Sequence, residues 1–291
     1  MIVDAKKSSF ASNNIENVVT LYMIEMFFII VFLLVTIMEI LLIVYEQVCI
    51  NILSRSKIKK VDNMKYTRKK IIEDCRLGIK NPNTMYTIDA VNYTGTTSDT
   101  KEYYSEIVAE FIIDNLAEFN AGIPVIHRES SYNMMHSGKR GKSDREENLA
   151  IDLFVQSVTE GDYDHIGKIL DYQIPLKNKE KDTAGKIDLL SMNGSNVYIL
   201  ELKKPDSRES MLRCILEGYT YYLTVDKEKL LSDFGLPADS RIMVCPFVFV
   251  GSRQYNEMKE TRPKVSELMK LLDIKPYYIS KENGKFIVVE G

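Results

Sequence analysis

The stretch NVYILELKKPD, residues 196–206, constrains this chain most. Its first part reads as a strand bound for a protein interior, rich in the β-branched and aromatic residues that favour strands. Glu201 and Lys203 interrupt it where apolar residues would be expected. Alternate residues of a strand share a face, so Ile199, Glu201 and Lys203 point the same way. An acid and a base on one face of an interior strand need a reason.

The neighbouring pattern supplies a partner. KIDLLSM, 186–192, is a second strand, and NGSN, 193–196, is a turn between the two. A four-residue loop at 193–196 sets Asp188 opposite Glu201, with Cβ atoms about 4.5–5.5 Å apart. Two carboxylates that close repel and raise each other's pKa. A divalent cation between them removes the conflict, and Mg²⁺ is served by one or two carboxylates while keeping several waters.

A third acid comes from the helix at 145–158, REENLAIDLFVQSV. Ser143 and Glu146 fit a capping box, which employs Glu146 at the helix start. Projected at 100° per residue, the apolar side chains point toward Glu147, the expected further ligand. The choice between Glu146 and Glu147 stays open at this level.

Elsewhere, residues 101–120 have helical spacing closed by Gly122 and Pro124, and 165–178 read as another strand. A helix at 207–225, an apolar strand at 241–251, a helix at 264–273 and a terminal hairpin at 275–291 follow. The order implies an α/β fold with one sheet between helices. SGKRGKSD, 137–144, is not a phosphate-binding P-loop, because His136 stands where its first glycine is required. GYTYY, 218–222, reads as core packing rather than a base-stacking platform, and Arg213 as a surface residue.

Helical Glu147, then Asp188 on one strand, then Glu201-Leu202-Lys203 on the next, then a helix, resembles the PD-(D/E)XK nuclease superfamily over residues 101–275. Ile187 replaces the usual proline, Pro205–Asp206 falls after the motif, and Glu217 stands where many members carry a glutamine. The resemblance implies a restriction-endonuclease-like mixed sheet flanked by helices. It implies Mg²⁺, with Mn²⁺ able to substitute, held by Asp188, Glu201, the Leu202 carbonyl and Glu147. Lys203 would position the attacking water or stabilise the phosphate. The implied substrate is nucleic acid, DNA ahead of RNA, and a homodimer is compatible with it. A fold retained without catalysis, as a scaffold for nucleic acid or a protein partner, is the alternative.

Outside this match, residues 26–45 form a 20-residue run with fifteen Phe, Ile, Leu and Val side chains and one acid, Glu39. Its length suits a bilayer core. Eight Lys or Arg lie in residues 54–70, and by the positive-inside rule that flank stays cytoplasmic. The sequence-based domain plan is thus an extracytoplasmic tail at 1–25, a transmembrane helix at 26–45 preceding the α/β fold, a basic juxtamembrane region and linker at 46–100, and the nuclease-like domain at 101–291. A single-pass protein with this domain cytoplasmic would suit defence against incoming DNA. Four cysteines without a C-x-x-C pair fit a reducing compartment. A net charge of −3 argues against a broadly basic nucleic-acid-binding surface.

Overall fold

The computed structural model describes Met38 and residues 66–140, 146–179, 182 and 184–290. Three strands come first: β1 (Lys168–Pro175), β2 (Lys186–Asn193) and β3 (Asn196–Lys203). β4 (Arg241–Phe249), β5 (Tyr277–Glu282) and β6 (Lys285–Glu290) complete one six-stranded sheet in sequential order. β1, β2 and β3 pair antiparallel, β3–β4 and β4–β5 parallel, and β5–β6 antiparallel. The expected mixed sheet is present.

Parallel neighbours need crossovers, and helices supply them. Between β3 and β4 run α6 (Met211–Thr224) and α7 (Lys227–Asp233); between β4 and β5 run α8 (Arg253–Lys259) and α9 (Pro263–Leu271). On the α6 face, Ile215 and Leu216 meet Val244 and Val248, while Val197 and Ile199 join Leu230 and Leu231. On the opposite face lies α5 (Glu146–Glu160), whose Ala150 and Leu153 pack with Leu200, Leu202 and Phe247. β3, buried from Val197 to Lys203 between these layers, is the interior strand its composition implied.

Two local features set the approach of helix and hairpin to the site. β2 and β3 join through Gly194 and Ser195, with Asn193 paired to Asn196 and Gly194 at φ +60°, as a tight hairpin needs. Gly218 lets α6 lie close on the sheet, since a Cβ there would stand 2.8 Å from Val244 Cγ1 and 3.3 Å from Glu201 Cβ.

Three expectations are corrected. Residues 68–92, expected within a linker, form α1 (Arg68–Gly78), a 3-10 helix (Pro82–Thr87) and α2 (Asp89–Asn92). Buried Ile71, Cys75 and Met85 join the core of α6, so the folded region begins well before residue 101. The helix expected at 101–120 is two, α3 (Tyr104–Asp114) and α4 (Leu116–Ala121), divided at Asn115, whose amide donates to the Phe111 carbonyl at 2.7 Å. Finally, among the described residues no helix is long and apolar enough to cross a membrane. The longest described helix, α5, has 15 residues and spends its apolar side on the sheet, against about 20 for a span. The described structure therefore does not support the transmembrane helix, the membrane partnership or the single-pass, cytoplasmic-facing localisation. The run at 26–45 itself, apart from Met38, lies outside the described residues.

Filling the close approach at Gly218 tests this packing. Overpacking costs about 1–3 kcal/mol, against about 1 kcal/mol gained in helix propensity. Gly218→Ala is expected to unfold at lower urea concentration than the parent. An unchanged midpoint would show slack between α6 and the sheet.

Candidate functional site

Glu201 and Lys203 stand on the α6 face of β3 and are only 2% and 4% exposed. Charges that deep must be paired. The Lys203 ammonium donates to Glu201 Oε1 at 2.7 Å and to Glu217 Oε2 at 3.0 Å, and lies 3.0 Å from Glu209 Oε2. Three carboxylates thus surround one ammonium, matching its three protons.

The helix behind this cluster is placed by its cap. Ser210 Oγ accepts from the Arg213 N–H at 3.0 Å and donates to the Val91 carbonyl at 2.6 Å, so α2 anchors the start of α6. Arg213, Glu217 and Tyr221 then recur at four-residue spacing along one side of the helix. Arg213 Nε lies 3.1 Å from Glu209 and 3.6 Å from Glu217, and Tyr221 donates to Glu217 Oε1 at 3.0 Å. The expected surface Arg213 is therefore part of the acidic network. Tyr219 and Tyr221 are core residues, as GYTYY implied.

Asp188 reaches the same cluster from β2. Continuing the hairpin register one step past Leu189↔Leu200 sets Asp188 opposite Glu201, as the turn predicted. The alternation of β2 breaks there: Leu189 packs in the α5-side core, while Ile187 joins Leu190 on the α6 side. Asp188 Oδ2 accepts from the Leu202 N–H at 3.0 Å, and Oδ1 from the Gln173 amide at 2.9 Å.

The helical acid at the site is Glu146, correcting the expectation of Glu147. Glu146 accepts from the Lys204 N–H at 2.7 Å, one residue beyond Lys203. Glu147 has a side chain 49% exposed and lies 3.9 Å from Lys186. An apolar projection undercounts the small residues that carry this stripe: Ala150 and Ser157 are buried beside Leu153, and Glu146 lies four residues before Ala150. Cβ vectors tilt toward a helix N-terminus, so a first-turn acid reaches past the helix end to the strand. Ser143, the expected cap, lies outside the described residues.

The electrostatics are unbalanced toward negative charge. Asp188, Glu201, Glu209, Glu217 and Glu146 face Lys203 and Arg213. Burial pushes the Asp188 carboxyl up to about 7, with Lys203 opposing and Glu146 adding repulsion. Burial likewise raises Glu201 well above the usual carboxylate range, against Lys203 and reinforced by Glu217. Glu146 is raised by burial, with Lys203 opposing. For Lys203 burial works downward, but Glu201 and Glu217 override it and hold the amine protonated. Glu217 is lowered because Lys203 outweighs its burial.

Glu201 Oε2 is buried and receives no hydrogen bond from a protein donor, while the Glu217 carboxylate is close enough to accept one from Glu201 when Glu201 is protonated. An oxygen without a donor in an acidic cluster, opposite a second carboxylate, fits a divalent cation. Among the described residues no group of three or more His, Cys, Asp and Glu forms a ready metal cage. Mg²⁺ needs none, because it keeps several of its waters. Asp188 and Glu201 are the two carboxylates that suit it, with Glu146 nearby; Leu202 is held beside Asp188 by its own N–H.

On the α5 side of the sheet, reaching Lys204 one residue past Lys203, opens a cleft of about 310 Å³ lined by Arg140, Asn148, Asp152, Lys204, Asp206 and Lys281 among others, and by none of the clustered acids. Two larger hollows, about 480 and 460 Å³, lie around α1 away from these acids.

Sequence reasoning missed Gln173, Glu209 and Tyr221. Tyr221 was detectable through its spacing from Glu217, and Glu209 through its spacing from Arg213. Nothing local marks Gln173. No family model, curated protein or solved structure matches this chain.

Two stability measurements test the electrostatics. A carboxyl raised from 3.8 to about 7 in the folded state costs stability fully above pH 7, and the cost fades as pH falls toward 4. In EDTA, Asp188→Asn is expected to melt above wild type at pH 8, with the gap narrowing on acidification. A gap independent of pH would contradict the burial of that charge. Lys203→Met, which strands Glu201 and Glu217, is expected to cost about 3–5 kcal/mol at pH 8 by urea unfolding. A loss under 1 kcal/mol would show that solvent already screens these acids.

Proposed function

We propose that this chain is a divalent-metal-dependent nuclease of the PD-(D/E)XK type, hydrolysing phosphodiester bonds of nucleic acid, DNA in preference to RNA. The observation that carries the reading is the carboxylate pair Asp188 and Glu201, set opposite each other across the hairpin beside a protonated lysine, with no protein donor on Glu201 Oε2. Asp188 and Glu201 would hold the Mg²⁺, with the Leu202 carbonyl implied by the resemblance and Glu146 taking the helical acid's part. Bound there, the ion would polarise a phosphoryl oxygen and lower the pKa of a bound water.

Lys203 contributes as a cation rather than a base. Its amine stays protonated with all three protons held by carboxylates, so it would act on the growing phosphate charge through its field rather than by a direct hydrogen bond. Glu217 and Glu209 hold that ammonium in place, while Tyr221 and Arg213 hold Glu217. The cleft around Lys204 carries three cations, Lys204, Arg140 and Lys281, of which Lys204 pairs with Asp206 and Arg140 with Asp152, so Lys281 would be the cation offered most directly to the backbone of a bound strand. Such a local contact is compatible with the net charge of −3.

The full chain incubated with duplex DNA, single-stranded DNA and RNA in Mg²⁺, Mn²⁺ or EDTA tests the reading. Cutting is expected with either metal, DNA faster than RNA, abolished by EDTA. Glu201→Gln and Lys203→Ala are each expected to lower the rate at least about 100-fold. Cutting that persists in EDTA or in Glu201→Gln would overturn the mechanism. No cutting of any substrate would overturn the enzyme reading and leave a scaffold.

A further inference from the structure

β1 carries a residue whose backbone is costly and whose side chain faces the site. Gln173 has φ +49°, the left-handed region that glycine and asparagine tolerate and other side chains adopt at a cost. It sits within β1, between Tyr172, paired with Leu189, and Ile174, paired with Ile187, which sets it opposite Asp188. The kink appears in the packing. Tyr172 joins the α5-side core and Ile174 the α6-side core, though residues two apart in a regular strand share a face. β2 makes the same change of side across Asp188, between Leu189 and Ile187. The two irregularities therefore meet at one cross-strand pair.

That pair is joined by a hydrogen bond. The Gln173 amide donates to Asp188 Oδ1 at 2.9 Å, while the Leu202 N–H donates to Oδ2 at 3.0 Å. The carboxylate is thus held on both oxygens, and its rotation is restricted. A neutral donor orients the acid without cancelling its charge, whereas a lysine at the same place would compete with a cation. Ligating carboxylates are commonly held by such outer hydrogen bonds, whose loss weakens metal affinity about 10–100-fold.

We propose that Gln173 is a positioning residue, kept in a strained backbone conformation because its amide orients the Asp188 carboxylate for a divalent cation. The inference rests on the metal-dependent reading above and adds a residue that the sequence pattern does not contain.

Glycine separates the two roles, because it accepts φ +49° without strain and has no amide to donate. In the full chain, Gln173→Gly is expected to melt at or above the wild-type temperature in EDTA. Its Mn²⁺ affinity by titration calorimetry is expected to fall about tenfold or more. Gln173→Asn, which tolerates the backbone but is one methylene short, is measured alongside and is expected to lose affinity similarly. Unchanged Mn²⁺ affinity in a folded variant, with wild type binding normally, would overturn the positioning role alone. A variant that loses melting temperature and keeps wild-type affinity would assign Gln173 to the fold and overturn the role as well. Wild type that binds no Mn²⁺ would overturn both this inference and the nuclease reading.

Discussion

One ammonium within about 3 Å of three carboxylates, at the buried end of β3, is the contact around which this molecule is arranged. Each attraction is large in a medium of low polarity, but desolvation offsets much of it, so such a cluster is tolerated only where its geometry is good. That geometry comes from elements far apart in sequence. β3 supplies Lys203 and Glu201, α6 supplies Glu217, and the segment before α6 supplies Glu209. Ser210 ties the start of α6 to Val91 in α2, and Gly218 sets the depth at which the helix lies on the sheet. The core packing and the charge cluster are therefore one design problem solved together.

The cluster is also unbalanced. Its acids outnumber its cations, and burial leaves Asp188 and Glu201 easier to protonate than ordinary carboxylates. Lys203 holds Glu201 Oε1, while Glu201 Oε2 receives no protein donor. Strain in β1 adjoins the same place, where Gln173 and Asp188 interrupt two strands at one pair. Costs of both kinds, electrostatic and conformational, gather at one end of the β2–β3 hairpin.

The sequence was most informative where a short-range rule applied. The period-two pattern of β3 put Glu201 and Lys203 on one face, and the turn after Asn193 brought Asp188 opposite Glu201. It failed where the outcome depended on distant packing. Residues 68–92 look polar and weakly periodic, yet Ile71 and Cys75 are buried because α1 packs on α3, and Met85 because its 3-10 turn packs on α6. Glu147 follows the large apolar residues of α5, but small Ala150 and Ser157 mark the true contact line, which runs through Glu146. The long apolar run at 26–45 carried a membrane assignment that no described helix supports.

The order of the strands, the shared face of Glu201 and Lys203, and the Asp188 register were all determined by the sequence. Each follows from side-chain alternation or turn length within a few residues. Tertiary structure alone decided that Glu146 faces the site, that Glu209 and Glu217 reach the lysine, and that Gln173 turns left-handed to reach Asp188. Those outcomes depend on how closely α5, α6 and β1 settle against the hairpin. That closeness is a balance of burial, strain and charge across the whole domain, and no local pattern encodes it.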